Sequence, residues 1–391
     1  MRSPHVELDE LREQHFLREL RTLEGPQGRV IHLDGREIVN FSSNDYLGLA
    51  NSPGLKAALV EGVERYGTGA GASQLISGHM EPHRELENSL ADFLGKESAL
   101  VFSSGFAAAS GLFSAIARAG DVVILDKLCH ACLIDGARAS GAQVRVFPHN
   151  NLDSLRRRLV NGRKKISSEG RLIVVTESVF SMDGDCPPLK QIVECAKEFD
   201  AMVVIDEAHA FGVIGPQGRG LAASVGCGQE VDVILTTLGK SAGLGGGVIA
   251  ANREITDLVI NRGRSFIFST AIPPAIAHAG IAAIKMIGGE TGEQLRSQLL
   301  DYRKSLVKTL DVAEPMAAIL PVLIGDEESA VAESSRMLEE DGIFVPAVRY
   351  PTVAKGAARL RVSLSAAHTS TDLRSLASAL GLHLSEDKAA G

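Results

Sequence analysis

Thr236-Thr237-Leu238-Gly239-Lys240-Ser241 is the stretch that decides how this chain is read; the apolar run Val231-Asp232-Val233-Ile234-Leu235 leads into it, and Gly243, Gly245, Gly246 and Gly247 follow. The run predicts a buried strand, and the lysine stands at its carboxyl end among residues too small to crowd a flat ligand laid against the backbone. A reactive amine needs such a rigid platform. Two plainer readings compete. Gly239-Lys240-Ser241 has the letters of a phosphate-binding P-loop, but that motif requires a glycine where Ile234 stands, so this reading fails. A solvated loop lysine stays open on these residues alone, because lysines are abundant on surfaces.

Upstream, Ala201-Met202-Val203-Val204-Ile205 reads as a second buried strand and runs straight into Asp206-Glu207-Ala208-His209. Open α/β sheets keep their ligands at the carboxyl ends of strands, so an acid there is a candidate site residue. Alone, it also reads as a turn former or helix cap. Together, Asp206 and Lys240 fit pyridoxal phosphate (PLP), which needs an amine to hold it and an acid to keep its pyridine nitrogen protonated as an electron sink. Their separation suits one helical crossover and a further strand. Ser98-Ala99-Leu100-Val101-Phe102 is another strand candidate, followed by Ser103-Ser104-Gly105-Phe106 and a small-residue helix from Ala107 to Ala117. Backbone N–H groups at such a helix start suit a phosphate. Val122-Val123-Ile124-Leu125 then ends in Asp126-Lys127-Leu128-Cys129-His130, which brings a histidine to the same sheet edge.

The 391 residues are 45% hydrophobic and 23% charged, enough for a large α/β domain with a smaller one attached. A net charge of −8 argues against a nucleic-acid partner, and no apolar run reaches the roughly 18 residues of a membrane span. Met1-Arg2-Ser3-Pro4-His5 leads into a charged amphipathic stretch, Leu8 to Leu20, without a signal-peptide core, so a cytoplasmic protein is expected. The 5 cysteines are odd in number and scattered, which suits a reducing compartment. Cys129-His130-Ala131-Cys132 has redox-motif spacing but reads as core packing, with the two cysteines directed away from His130's ligand face. No metal is expected. Gly67-Thr68-Gly69-Ala70-Gly71 resembles a dinucleotide fingerprint only loosely, because it follows a helical stretch and Ala72 stands where the last glycine belongs.

Residues 1–45 read as an arm of one helix and a short β segment, with Arg29 to Leu33 and Glu37 to Val39 joined at Asp34-Gly35. Residues 46–283 alternate strands and helices, the pattern of a mostly parallel sheet. Residues 284–391 mix strands and helices as a small α+β domain.

Several further segments occur in order: Asn40 to Leu49, Thr176 to Asp185, Gly215-Pro216-Gln217-Gly218-Arg219-Gly220, Pro351-Thr352-Val353, Arg359-Leu360-Arg361 and Ala366-Ala367-His368. With the Ser104, Asp206 and Lys240 segments, they resemble the α-oxoamine synthase family through nearly the whole chain. That resemblance implies an aspartate-aminotransferase-like, fold type I, PLP-dependent transferase: α/β, with a mostly parallel large domain and a small α+β C-terminal domain. It further implies a homodimer with shared active sites. Lys240 then matches the lysine that holds PLP and moves the Cα proton, and Asp206 the partner of the ring nitrogen. His209 and Ser181 match groups near the ring hydroxyl, while His130 matches the histidine on the ring face. Gly105, Phe106 and Thr237 match phosphate ligands, completed by Ser269 or Thr270 of the partner subunit. Arg361 and Asn44 match the amino-acid carboxylate site. Arg18, with Arg21 as its rival, matches an arginine near the acyl chain, and Thr352 a substrate-contacting threonine. The likeness is strongest to members that join L-alanine to pimeloyl-CoA or pimeloyl-carrier protein. Sister reactions join glycine to succinyl-CoA or acetyl-CoA, or serine to palmitoyl-CoA.

Overall fold

The structure, a computed structural model, describes residues 3–14, 16–167, 169–310 and 317–382. It forms two units, the first bounded as Met1–Tyr46, Met182–Gly184 and Gln298–Gly391, the second as Leu47–Ser181 and Asp185–Ser297. The sequence divides the chain after 45 and after 283. In the structure the arm instead shares a unit with the C-terminal residues, and the last division falls inside the helix Glu290–Leu310. Positions 1–2 and 383–391, which the sequence assigns to the arm and the C-terminal domain, lie outside the described residues.

In the first unit, β1 (Val30–Leu33) and β2 (Arg36–Asn40) form a hairpin. Asp34 and Gly35 carry it through φ values of 52° and 70°, the left-handed pair that a tight two-residue hairpin turn requires. Ile31, Leu33 and Ile38 point to one side as a small core with Leu338 and Phe344. The arm's helix is Pro4–Glu13, started by the Ser3 side chain and with no buried residue. It is shorter than the amphipathic stretch in the sequence: residues 17–23 have no helical backbone. Arg29 ties the arm to Asp372 through bonds of 2.8 and 3.0 Å.

The second unit holds seven strands: β3 (Ser98–Phe102), β4 (Val122–Asp126), β5 (Gln143–Phe147), β6 (Leu172–Glu177), β7 (Met202–Asp206), β8 (Val233–Thr237) and β9 (Gly247–Ala251). Their order is β3-β9-β8-β7-β6-β4-β5. All neighbours are parallel except those of β9, which runs against both β3 and β8. Every residue of β4, β6 and β9 is buried, as strands covered on both faces require. Leu112 and Phe113 of the helix Gly105–Ile116 join Val123, Val175, Val204 and Leu235 in the main core.

The first unit is completed by β10 (Ile319–Gly325), β11 (Ile343–Phe344), β12 (Ala347–Val348) and β13 (Ala358–Ser363). β11 pairs parallel with β2, placing Ile343 beside Val39, and β10-β13-β12 form a separate antiparallel sheet.

Gly247 shows how closely the second unit is built. It starts β9 between Phe102 and Thr237, and a Cβ there would overlap the Ser104 carbonyl group. Backbone cannot move aside as a flexible side chain does. Gly247→Ala should therefore cost about 1–3 kcal/mol of stability through overpacking. Urea unfolding measures this, and an unchanged midpoint would contradict the crowding argument.

Candidate active site

Parallel pairing brings the carboxyl ends of β4, β6, β7 and β8 to one edge. Glu177 lies opposite Asp206, and Asp206 opposite Leu235, so the two terminal acids of β6 and β7 stand side by side, next to the last residues of β8. This edge is where open α/β sheets bind ligands.

Asp206 ends β7, and its carboxylate accepts the Ala208 N–H at 2.8 Å. Burial raises its pKa, opposed by the charge of Lys240 and by the Ala208 N–H. An enclosed carboxylate of this kind is best satisfied by a cation. Beyond β8, Lys240 places Nζ 2.8 Å from Nε2 of the buried His209. Asp206 and Glu207 are sequence neighbours with separate environments. The Glu207 carboxylate accepts the Leu221 and Ala222 N–H groups, and burial pushes its pKa up to about 7.

His130 stands exposed at the start of the helix Ala131–Ala139, its backbone N–H donated to Glu177 Oε1. Its Nδ1 accepts the Cys132 N–H at 3.3 Å and lies 3.0 Å from Cys132 Sγ. The neutral ring therefore carries its proton on Nε2. Burial lowers the His130 pKa, which favours that neutral form. The expectation that both cysteines point away from His130 needs correction. Cys129 and Cys132 are buried as packing residues, yet Cys132 also fixes the imidazole.

Glu177 is the main residue that sequence reasoning left without a role. It is buried, and its pKa is raised well above the ordinary value by burial and then by Asp206. Its signal was the same as that of Asp206, an acid ending an apolar strand run.

Gly105 and Phe106 occupy the first turn of the helix Gly105–Ile116, where helical geometry provides no carbonyl for their amides. Ser104 caps the Ala107 N–H at 3.1 Å. Thr237 lies against Gly105, where a Cβ would meet the Thr237 side chain at 3.6 Å. The Thr237 hydroxyl donates to the Gly246 carbonyl at 2.7 Å, so it must rotate before it can donate to an anion. Ser181 is partly buried just beyond β6. Ser269 is half-buried and Thr270 exposed; Thr270 bridges to Ser73, so both follow the helix Arg264–Ile267 along the segment next to Ser73.

The first unit gathers the remaining candidates into two groups. Arg361, buried on β13, donates to Ser363 Oγ at 2.9 Å and to Asn44 Oδ1 at 3.2 Å; Asn44 also accepts the Tyr46 hydroxyl at 3.1 Å. Arg18 reaches Thr352 Oγ1 at 3.4 Å. Arg18, Arg21, Arg36 and Arg349 line a cleft of about 1040 Å³ with Leu33 and Ile38. Arg21 lies over the Phe344 ring, 5.0 Å from its centroid, so the two rival arginines share one cleft but have different partners.

Comparisons with known proteins agree over almost the full length. The family model described as aminotransferase class I and II matches residues 36–380. The 8-amino-7-oxononanoate synthase of Geobacter sulfurreducens is 44% identical over 384 residues, covering 97% of each chain. A serine palmitoyltransferase variant from S. paucimobilis with bound PLP–myriocin superposes with a TM-score of 0.87 at 30% identity, covering 95% of this chain and 94% of that one. The 8-amino-7-oxononanoate synthase of Francisella tularensis superposes at 0.73 with 28% identity, covering 88% and 96%. The mostly parallel sheet, its antiparallel β9 and the small C-terminal antiparallel sheet agree with fold type I. By matched length and by identity, this chain belongs to the aminotransferase class I and II family, in its α-oxoamine synthase branch.

Proposed function

We propose that this protein joins L-alanine to a pimeloyl thioester, pimeloyl-CoA or its carrier-protein equivalent, releasing carbon dioxide and the thiol and forming 8-amino-7-oxononanoate. The observation that carries this reading is the 44% full-length identity to an 8-amino-7-oxononanoate synthase, in a chain whose strand edge assembles Lys240, His209 and Asp206.

The residues present fit PLP. An enclosed acid, an amine, the open first turn of a helix and a glycine-lined approach lie around one sheet edge. When bound, PLP supplies an electron sink for the carbanion formed at Cα of the amino acid. Lys240 holds the cofactor and then removes and returns the Cα proton. Asp206 keeps a proton on the ring nitrogen, where the new cation offsets the cost of burying the carboxylate. His209 and Ser181 serve the ring hydroxyl. His130 would lie at the cofactor ring and help to position the substrate. The Gly105 and Phe106 amides bind the phosphate, joined by the rotated Thr237 hydroxyl. Arg361, held by Asn44, grips the alanine carboxylate with its planar fork. Arg18 and Thr352 serve the acyl chain.

The protein acts as a homodimer, with Ser269 or Thr270 of one subunit completing the other's phosphate site. Support comes from apolar exposure: Phe268 is 71% and Phe106 53% exposed, and the Ser265 hydroxyl donates to the Ala107 carbonyl, bringing the two segments together. Covering such a patch with a second copy removes it from water. A cytoplasmic location accords with five free cysteines, and no described helix is long and apolar enough to cross a membrane.

Lys240→Ala should abolish turnover and the yellow colour of lysine-bound cofactor while leaving far-ultraviolet circular dichroism unchanged. Near-normal activity would remove the central assignment. Asp206→Asn should retain PLP but slow alanine Cα-proton exchange by at least roughly a hundredfold, since losing a preorganised electrostatic partner costs about 3 kcal/mol. Unchanged exchange would make Asp206 structural. With saturating L-alanine, thiol release from pimeloyl-CoA should far exceed that from succinyl-, acetyl- or palmitoyl-CoA, because a site built for a distal carboxylate is left unsatisfied by the other chains. Arg18→Ala should raise the pimeloyl-CoA KM more than the alanine KM. Preference for glycine with succinyl- or acetyl-CoA would replace the substrate assignment and retain the family chemistry.

A further inference from the structure

His149 lies two residues beyond the end of β5, outside the groups given a chemical role above. Its Nδ1 is 2.9 Å from Asp126 Oδ1, and its Nε2 is 2.8 Å from Asp185 Oδ2. Asp126 ends β4 and is completely buried. Besides His149, its carboxylate accepts the Leu128 N–H and the Asn150 N–H, at 2.8 and 2.9 Å, and its carbonyl accepts the Cys129 N–H. These bonds shape the turn that delivers His130. On the other side, Asn150 Nδ2 donates to Asp185 at 3.0 Å, and the Asp185 carbonyl accepts the Phe180 N–H. The Phe180 ring meets the His149 ring edge-on, 4.4 Å between centroids. Ser181 follows directly.

We propose that His149 is a positioning residue whose imidazolium, bonded to Asp126 on one side and Asp185 on the other, ties the turn carrying His130 to the segment carrying Phe180 and Ser181. The inference rests on reading this edge as the PLP site, because His130 and Ser181 are the groups being held. Both ring nitrogens must donate to make the two bonds at once, so the clamp requires the charged ring. Burial alone would lower the pKa of His149, but hydrogen bonds and charge from Asp126 and Asp185 push it up to about 10. Because the folded value lies above the ordinary histidine value of 6.5, the stabilisation is complete below about pH 6.5 and is lost as pH rises through about 10. At neutral pH the clamp is closed.

The test uses His149→Gln and, as a milder change that keeps the imidazole, Asp185→Asn. Hydrogen–deuterium exchange is followed in peptides covering 127–130 and 178–186, with 236–241 as control, on protein with and without added PLP. Loss of a charge-assisted bond should speed exchange about tenfold in both segments and leave the control unchanged. Alanine Cα-proton exchange should show a lower kcat with little change in KM for alanine. Nitrogen-15 resonances of the parent should show both His149 ring nitrogens protonated at pH 8. A neutral His149 ring at pH 8, or acceleration in only one segment or in neither, overturns the clamp. Failure of the parent to bind PLP would sink the cofactor reading instead, and exchange in the cofactor-free protein still reads the clamp directly.

Discussion

Everything at the sheet edge depends on one electrostatic constraint: carboxylates at the ends of buried, mainly apolar strands must be satisfied with little access to bulk water. Asp126, Glu177 and Asp206 stand at the ends of three adjacent strands, β4, β6 and β7. Left unpaired in such a place, a charge costs several kcal/mol. Each acid meets that cost differently. Asp126 collects backbone amides and an imidazolium, Glu177 accepts the His130 N–H while its proton affinity rises, and Asp206 relies on the nearby charge of Lys240 and on the Ala208 N–H.

Small residues convert that electrostatic row into a binding surface. The antiparallel β9 begins at Gly247 beside the Ser104 carbonyl, so the start of the helix Gly105–Ile116 and the end of β8 approach without an intervening side chain. The same economy appears at Gly105, next to Thr237. Rigidity comes from the buried strands beneath, and access comes from the glycines above. The first unit follows another rule. Arg361 is buried on a strand and oriented by Asn44 and Ser363, whereas Arg18 and Arg21 come from the arm and line an open cleft. A buried, oriented guanidinium suits one small carboxylate; a cleft with several arginines suits a longer anionic substrate.

The sequence by itself determined the strand runs, the helix read from Ala107 to Ala117, which the structure starts two residues earlier at Gly105, the Asp34-Gly35 hairpin, and the acid and lysine at strand ends. Each of these follows from local chemistry: hydrophobic continuity, a backbone that needs positive φ, or a polar residue that ends a buried run. Ordered motifs also fixed the family. The motif also singled out Asp206 over its neighbour Glu207, and the tertiary structure supplies the reason: successive side chains leave a strand end in different directions, and Glu207 is occupied by the Leu221 and Ala222 amides. Pairing alone set Glu177 beside Asp206, since register joins residues remote in sequence. The reversal of β9, the sharing of a unit by arm and C-terminal strands, the contact of Cys132 with His130 and the bridge from Asp126 through His149 to Asp185 were hidden for the same reason. They are products of long-range pairing and burial, which local periodicity does not encode.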